Sequence, residues 1–167
     1  MKLFEVKKDY RIFVDLDGVL ADLDKHVKEI TGMTFLQLRA TGSGFTEFVA
    51  DQREQGNTVF DDLDKMPDAD VLWNYVKQYD PAILTATGTP HEKAAAEKIR
   101  WVYDNLDGFS EILTTISGAD KGAYAEPHHI LIDDRDKSIN PWREAGGIGI
   151  QHTSAADTIA QLKKLGL

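Results

Sequence analysis

Two aspartates, Asp15 and Asp17, close the apolar, β-branched run Ile12-Phe13-Val14 and are followed at once by Gly18. In an extended segment, side chains at i and i+2 leave the same face, so both carboxylates enter one small volume where the strand emerges from its sheet. Two anions held there repel. A divalent cation relieves the repulsion, and Mg2+ in particular binds through one or two carboxylates, several waters and a substrate phosphate. Gly18 supplies a turn conformation that most residues resist. A plain strand-ending turn also accounts for Asp and Gly here. A helix-loop-helix calcium site does not, because the fifth position counted from Asp15 is Val19 and the glycine comes too early.

Further residues of the same character fall at the carboxyl ends of strand-like runs, where ligands bind in open α/β sheets. Thr85 ends Ile83-Leu84-Thr85 and precedes Ala86-Thr87-Gly88, so its hydroxyl and the amides that follow, beginning with Ala86, can hold a phosphate oxygen. Asp133-Asp134 closes His129-Ile130-Leu131-Ile132. Adjacent carboxylates point apart on a strand, so one can face a metal while the other fixes a neighbouring donor. Lys98 and Lys121 are the basic candidates for phosphate, set against the ordinary fate of a lysine as a solvated charge. Arg135 and Asn140 complete the polar stretch after the second acid pair.

The elements that must carry these groups alternate along the chain. Strand-like runs cover Arg11 to Asp15, Ala82 to Thr85, Glu111 to Ile116, His129 to Asp133 and Ile148 to His152, with helical patterns between them. This predicts an α/β fold of three layers, a Rossmann-like parallel sheet covered on both faces. Asp68-Ala69-Asp70 opens a helix that carries Val71, Leu72, Tyr75 and Val76. Thr89-Pro90 reads as a cap and first-turn proline ahead of a helix from His91 to Leu106. A last helix runs from Ser154 to Leu165, with Gly166 as its stop.

Some fifty residues separate the first strand from the helix near Asp68, far more than the dozen or so that a crossover needs. The surplus predicts a small helical cap over residues 21–67, inserted into a core of residues 1–20 and 68–167. Helices are expected at His26 to Ile30, Phe35 to Arg39 and Phe45 to Gln52. Because the cap begins just after Asp17, it should stand over the carboxylates, exclude water and shape a pocket. Phe35, Phe45, Phe48 and Phe60 either form a slot that stacks a nucleobase or make the interior of the cap.

The whole chain sets bounds. At 167 residues it holds one core of ordinary size, and it has no cysteine, which fits a reducing compartment. The charged amino terminus from Met1 to Asp9 lacks the apolar stretch of a signal peptide, and no run is long enough to span a membrane. The cytoplasm is therefore the expected location. A formal net charge of −9 argues against gripping duplex nucleic acid, although a metal and a few lysines can still draw a small phosphate ester to an acidic protein.

Taken together, Asp-x-Asp-Gly-Val after a strand, a strand-end threonine, a lysine and a strand-end Asp-Asp resemble the haloacid dehalogenase (HAD) superfamily of phosphotransferases. Several details resemble one branch, the 5'(3')-deoxyribonucleotidases. They are Asp15-Leu16-Asp17-Gly18-Val19-Leu20-Ala21-Asp22, the helix segment Glu97-Lys98-Ile99-Arg100-Trp101-Val102, Asp120-Lys121, and Leu131-Ile132-Asp133-Asp134-Arg135 with Trp142, Glu144, Ala145 and Gly146. Lys98 follows Thr85 by thirteen residues, which suits that branch, whereas Ala86 stands where it usually has serine. The match runs from Arg11 to about His152 and is weak in the cap.

The resemblance implies a HAD-like core and a Mg2+-dependent hydrolysis of nucleoside 5'-monophosphates, deoxy forms foremost. Asp15 would be the nucleophile and Asp17 the acid for the leaving alkoxide, then the base for water. The metal would sit on Asp15, the backbone carbonyl of Asp17 and Asp133, with Thr85 and Lys98 donating to phosphate, and with Lys121 and Arg135 orienting Asp17, Asp134 or substrate. Another small phosphate ester, such as a phosphosugar, would use the same machinery. A phospho-acceptor signalling module of the receiver kind also joins acids, a threonine, a lysine and Mg2+ on an α/β sheet, but it lacks a cap. The oligomeric state is left open by the sequence.

Overall fold

The structure, a computed structural model, describes residues 9–167, so the expectations for residues 1–8 lie outside the described residues. Five strands, β1 (Arg11–Val14), β2 (Ala82–Ala86), β3 (Ile112–Thr115), β4 (His129–Asp133) and β5 (Ile148–Gln151), form one parallel sheet in the order β3-β2-β1-β4-β5. This is the expected α/β architecture. The acid-bearing strands β1 and β4 are neighbours, with Val14 level with Ile132, so Asp15 and Asp133 leave the sheet side by side. Chain order reverses at β1, and in open α/β sheets ligands bind at such a point, beyond the carboxyl ends of the strands.

Alternation along the strands assigns the two faces. Ile12, Val14, Ile83, Ile130 and Ile132 point to one side, where they meet Leu72 and Val76 of α4 (Ala69–Val76), Trp101 and Val102 of α5 (His91–Asn105) and Leu162 of α7 (Ala155–Lys164). Phe13, Ala82, Leu84 and Leu131 point to the other, against Ile139 and Trp142 of α6 (Asp136–Glu144). With both faces covered, these strands read as continuous apolar runs.

One helix start differs from the sequence reading, and another is as read but closed differently. Thr89 does not cap α5; an extended Pro90 occupies the boundary, and no side chain closes the first turn. Asp68 stands before α4 but does not cap it; its carboxylate accepts instead from the Ala155 amide at 2.6 Å, which ties the start of α7 to that of α4. Ser154 does cap α7, accepting from the Asp157 amide at 3.1 Å, and Gly166 follows at φ +91°.

Between β1 and α4 lie α1 (Leu23–Thr31), α2 (Phe35–Ala40) and α3 (Gly44–Glu54). Asp22 caps α1, and Thr34 with Gln37 forms a reciprocal capping box on α2. The two ends of this insertion run alongside one another: the Asp22 amide donates to the Asp64 carbonyl at 2.8 Å and the Met66 amide to the Leu20 carbonyl at 2.8 Å. The far end is fastened to α5. Buried Glu97 pairs with Arg53 of α3 and accepts from the amides of Val59 at 3.1 Å and Phe60 at 3.2 Å, while the Trp101 indole donates to the Leu63 carbonyl at 2.7 Å. A buried carboxylate with that many donors is held firmly, so the insertion cannot drift far from the helix that carries Lys98.

Candidate active site

Asp15 extends β1 by one ladder bond, its amide donating to the Ile132 carbonyl at 3.0 Å. The chain then folds tightly. The Leu16 carbonyl accepts from the amides of Val19, Leu20 and Ala21, and Gly18 takes φ +81°. Leu16, Val19 and Leu20 are drawn into the core, which leaves Asp15 and Asp17 at the carboxyl end of β1. Gly18 is required there twice over. Its φ is left-handed, and a Cβ would stand 2.8 Å from Cγ of Asp134 and closer still to its Oδ2.

Asp15, Asp133 and Asp134 each place a carboxylate oxygen within 4.8 Å of the others. Asp15 and Asp133 are buried and Asp134 nearly so, and Oδ1 of Asp134 is buried without a hydrogen-bond partner. Burial, together with the charges of Asp15 and Asp133, pushes the Asp134 carboxyl up to about 7. Asp133 is likewise raised, by burial first and then by Asp15, although Lys121 opposes both. An orphaned oxygen among crowded acids is the arrangement that a hard divalent cation completes, so these residues fit Mg2+.

Lys121 lies on a 3-10 segment (Ala119–Tyr124) after β3, and the fold carries it 1% exposed to the base of the cluster. Its Nζ stands 2.8 Å from Oδ1 of Asp15 and donates to Oδ2 of Asp133 at 2.6 Å. Burial alone would lower this ammonium, but the two carboxylates outweigh burial and hold it above the ordinary lysine value. Lys121 thus bridges Asp15 and Asp133, where the resemblance implies Asp17, Asp134 or substrate as its partner.

Asp17 is drawn elsewhere. Its carboxylate pairs with Lys98, whose Nζ also donates to the Thr85 hydroxyl at 3.3 Å and sits 4.5 Å from the centre of the Phe60 ring. Burial pushes Asp17 up, Lys98 opposes this, and Asp15 adds to the rise. Lys98, 1% exposed on α5, thereby joins Asp17 to fully buried Thr85 at the end of β2. Ala86, next along β2, is half-buried.

Arg135 donates its amide to Oδ1 of Asp133 at 2.9 Å, and its guanidinium reaches α2 of the insertion, 5.5 Å from the centre of the Phe35 ring. The cap aromatics turn mostly towards each other. Phe35 meets Phe45 edge-on at 4.8 Å, Phe45 stacks with Phe48 at 5.9 Å, and Phe48 and Phe60 are buried. Of the four, Phe60 lies under Lys98 and Phe35 under Arg135, whereas Phe45 and Phe48 pack within the insertion. Sequence reasoning quoted Glu97 in the Lys98 segment but gave it no role; it is the buried acid that accepts from the Phe60 amide, and a glutamate on the Ala-rich apolar side of α5 was the available sign.

No protein-family model matches this chain, and no curated protein does. Solved structures do. A dehalogenase with an intermediate complex superposes with a TM-score of 0.59 at 11% identity, over 86% of this chain and 84% of that one. A haloacid dehalogenase-like family hydrolase from Streptococcus pneumoniae gives 0.52 at 17%, over 94% and 97%. An aspartate-to-alanine variant of a HAD family enzyme from Bacteroides thetaiotaomicron, in complex with magnesium and inorganic phosphate, gives 0.51 at 17%, over 87% and 94%. The chain has the fold of these HAD-superfamily hydrolases. Among the described residues, no helix is long and apolar enough to cross a membrane.

Proposed function

We propose that this protein is a Mg2+-dependent phosphomonoesterase that hydrolyses nucleoside 5'-monophosphates, deoxyribonucleotides foremost, through a phosphoryl group carried on Asp15. The observation that carries the reading is the division of labour among four acids: Asp15, Asp133 and Asp134 converge, while Asp17 stands apart on Lys98. The magnesium and phosphate bound by the Bacteroides enzyme of the same fold support it.

One oxygen of Asp15 is held by Lys121, which leaves the other to attack phosphorus. As the new bond from Asp15 to phosphorus forms, the bond to the leaving oxygen breaks, and Asp17 gives that oxygen its proton. Asp17, now a carboxylate, takes a proton from water as the water attacks the same phosphorus, and inorganic phosphate leaves with Asp15 restored. Mg2+, held by Asp15, Asp133 and Asp134 with the Asp17 carbonyl that the resemblance adds, would supply positive charge against the phosphoryl oxygens. Thr85 and Lys98 donate to those oxygens from the other side, and Glu97 and Phe60 keep the Lys98 ammonium on that line. Displacement of a halide needs no proton for the leaving group, so a dehalogenase reading would leave Asp17 and the second acid pair without work.

Phosphate release from a panel of nucleotides and sugar phosphates, with Mg2+ and with chelator, tests the proposal. Turnover of nucleoside monophosphates that chelator abolishes and Asp15→Asn removes is expected. Equal turnover of sugar phosphates and nucleotides would count against a nucleotide substrate. Hydrolysis that survives Asp15→Asn would refute the nucleophile, and a long-lived phosphoryl adduct from acetyl phosphate would favour signalling.

A further inference from the structure

Of the six arginines in the chain, four are engaged with oxygen acceptors: Arg11 with Glu111, Arg53 with Glu97, Arg100 with Asp61 and Arg143 with the Gly149 carbonyl. The remaining two, Arg39 and Arg135, have no carboxylate within ion-pair distance among the described residues, in a chain whose net charge is −9. They also share one ring. Arg39 on α2 lies 5.6 Å from the centre of Phe35 and Arg135, reaching up from the core, lies 5.5 Å from it, so the two guanidinium carbons are at most about 11 Å apart. Phe35 is half-buried, locked edge-on against Phe45, and its amide donates to Asp24 at 2.7 Å. Both cations are therefore set against a fixed plane at the seam between cap and core.

The seam adjoins the acid cluster. The Cα of Arg135 is one trans peptide, about 3.8 Å, beyond that of Asp134, and the charge of Arg135 is felt at the Asp134 carboxyl. Arg39 is held below the ordinary arginine range by burial first and then by the charge of Arg135, so the two cations oppose each other, and among the described residues neither is closed into an ion pair. A guanidinium offers a planar fork that matches phosphate and carboxylate oxygens in pairs.

We propose that Arg39 and Arg135 form a second anion site at the cap–core seam, so that the ester hydrolysed here carries a phosphate or carboxylate group beyond its scissile phosphate. The inference rests on the phosphomonoesterase reading and sharpens it: among nucleotides, the favoured substrate is a nucleoside bisphosphate. Phe35 then serves as the plane that orients both forks, and its ring is turned to arginine.

Calorimetry on the Asp15→Asn chain in chelator measures binding of deoxyadenosine 3',5'-bisphosphate against deoxyadenosine 5'-monophosphate, and of 4-hydroxybutanoate phosphate against butyl phosphate. Turnover of the same four esters is measured in the unaltered chain with Mg2+. The distal anion is expected to tighten binding and raise kcat/KM roughly tenfold or more, as charge-assisted hydrogen bonds do. Arg39→Gln and Arg135→Gln should each bring that ratio close to one, and Arg39→Lys should restore part of it. The pair that shows the larger effect identifies the distal group as phosphate or carboxylate. If the distal anion changes neither binding nor turnover, or if its advantage survives both glutamine variants, the second site is refuted while ester hydrolysis stands. Arginine-dependent binding of the bisphosphate with no ester turned over would keep the site and remove the phosphomonoesterase reading.

Discussion

Replacing Gly18 by alanine separates backbone strain from damage to the acid cluster. Position 18 has φ +81°, and the added methyl would meet the Asp134 carboxyl at 2.8 Å from Cγ. Gly32, at the end of α1, has φ +74° and nothing within 4 Å of a new Cβ, so Gly32→Ala reports the backbone cost alone. That cost is about 1–2 kcal/mol for a residue forced into the left-handed region, which in a chain of this size lowers Tm by roughly 2–4 °C for each kcal/mol. Gly18→Ala should lose this and about 1–3 kcal/mol more for the overlap. Relief of the repulsion between Asp134 and its two neighbours returns a part of the loss. The decisive readout is therefore metal. With Asp134 pushed off the cluster, Mg2+ affinity should fall on the order of 10–100-fold. The stabilisation that Mg2+ produces, worth about 2.7 kcal/mol at a hundred times the parent's Kd, should fall to about 0.4–1.4 kcal/mol at the same concentration. Urea denaturation and thermal melts with and without Mg2+, on the parent and both variants, provide the comparison. If Gly18→Ala behaves as Gly32→Ala does and keeps the parent's Mg2+ response, Asp134 does not bind the ion from against this loop.

Lys121→Met should leave two buried carboxylates facing each other without their bridge, at a cost of about 3–5 kcal/mol; denaturation in chelator measures it, and Mg2+ should restore a good part, whereas a loss below about 1 kcal/mol would refute the bridging role. His152 is buried, and burial holds its imidazole below the usual value against the pull of Asp68 and Asp157. Its unfolded form takes up a proton near pH 6.5 that the folded form refuses, so this group's contribution to stability falls as pH drops from about 7 towards 5. His152→Asn should flatten that part of the urea midpoint against pH; parallel curves for parent and variant would count against it.

The strands were legible because each is a short apolar run that ends in a polar group, and both properties are local. Asp15, Asp17, Thr85, Asp133 and Asp134 could be placed at strand ends for that reason, and with five parallel strands they had to emerge on one edge. The helix α6 was not read, because Pro141 lies inside it and breaks the expected pattern. The capping of α5 by Thr89 was misjudged because Thr-Pro satisfies a rule of composition, whereas an extended Pro90 leaves the first turn without a side-chain acceptor. The helical insertion between β1 and α4 was visible as surplus length, and its aromatics supported two readings; in the fold, three of the four pack on each other.

Local order along the chain thus determined the architecture and which polar groups stand at the strand ends, since periodicity and turn chemistry act over a few residues. Tertiary structure alone decided how those groups are paired. Residue type and spacing left Lys121 and Lys98 as two basic candidates, and the resemblance joined Lys98 to Thr85 and Lys121 to Asp17 or Asp134; in the fold Lys121 is closed between Asp15 and Asp133, and Lys98 reaches both Asp17 and Thr85. Partnership of this kind depends on distance through space and on removal from water. Both are set by how β1, β4, α5 and the 3-10 segment pack, and neither is written in the spacing of residues along the chain.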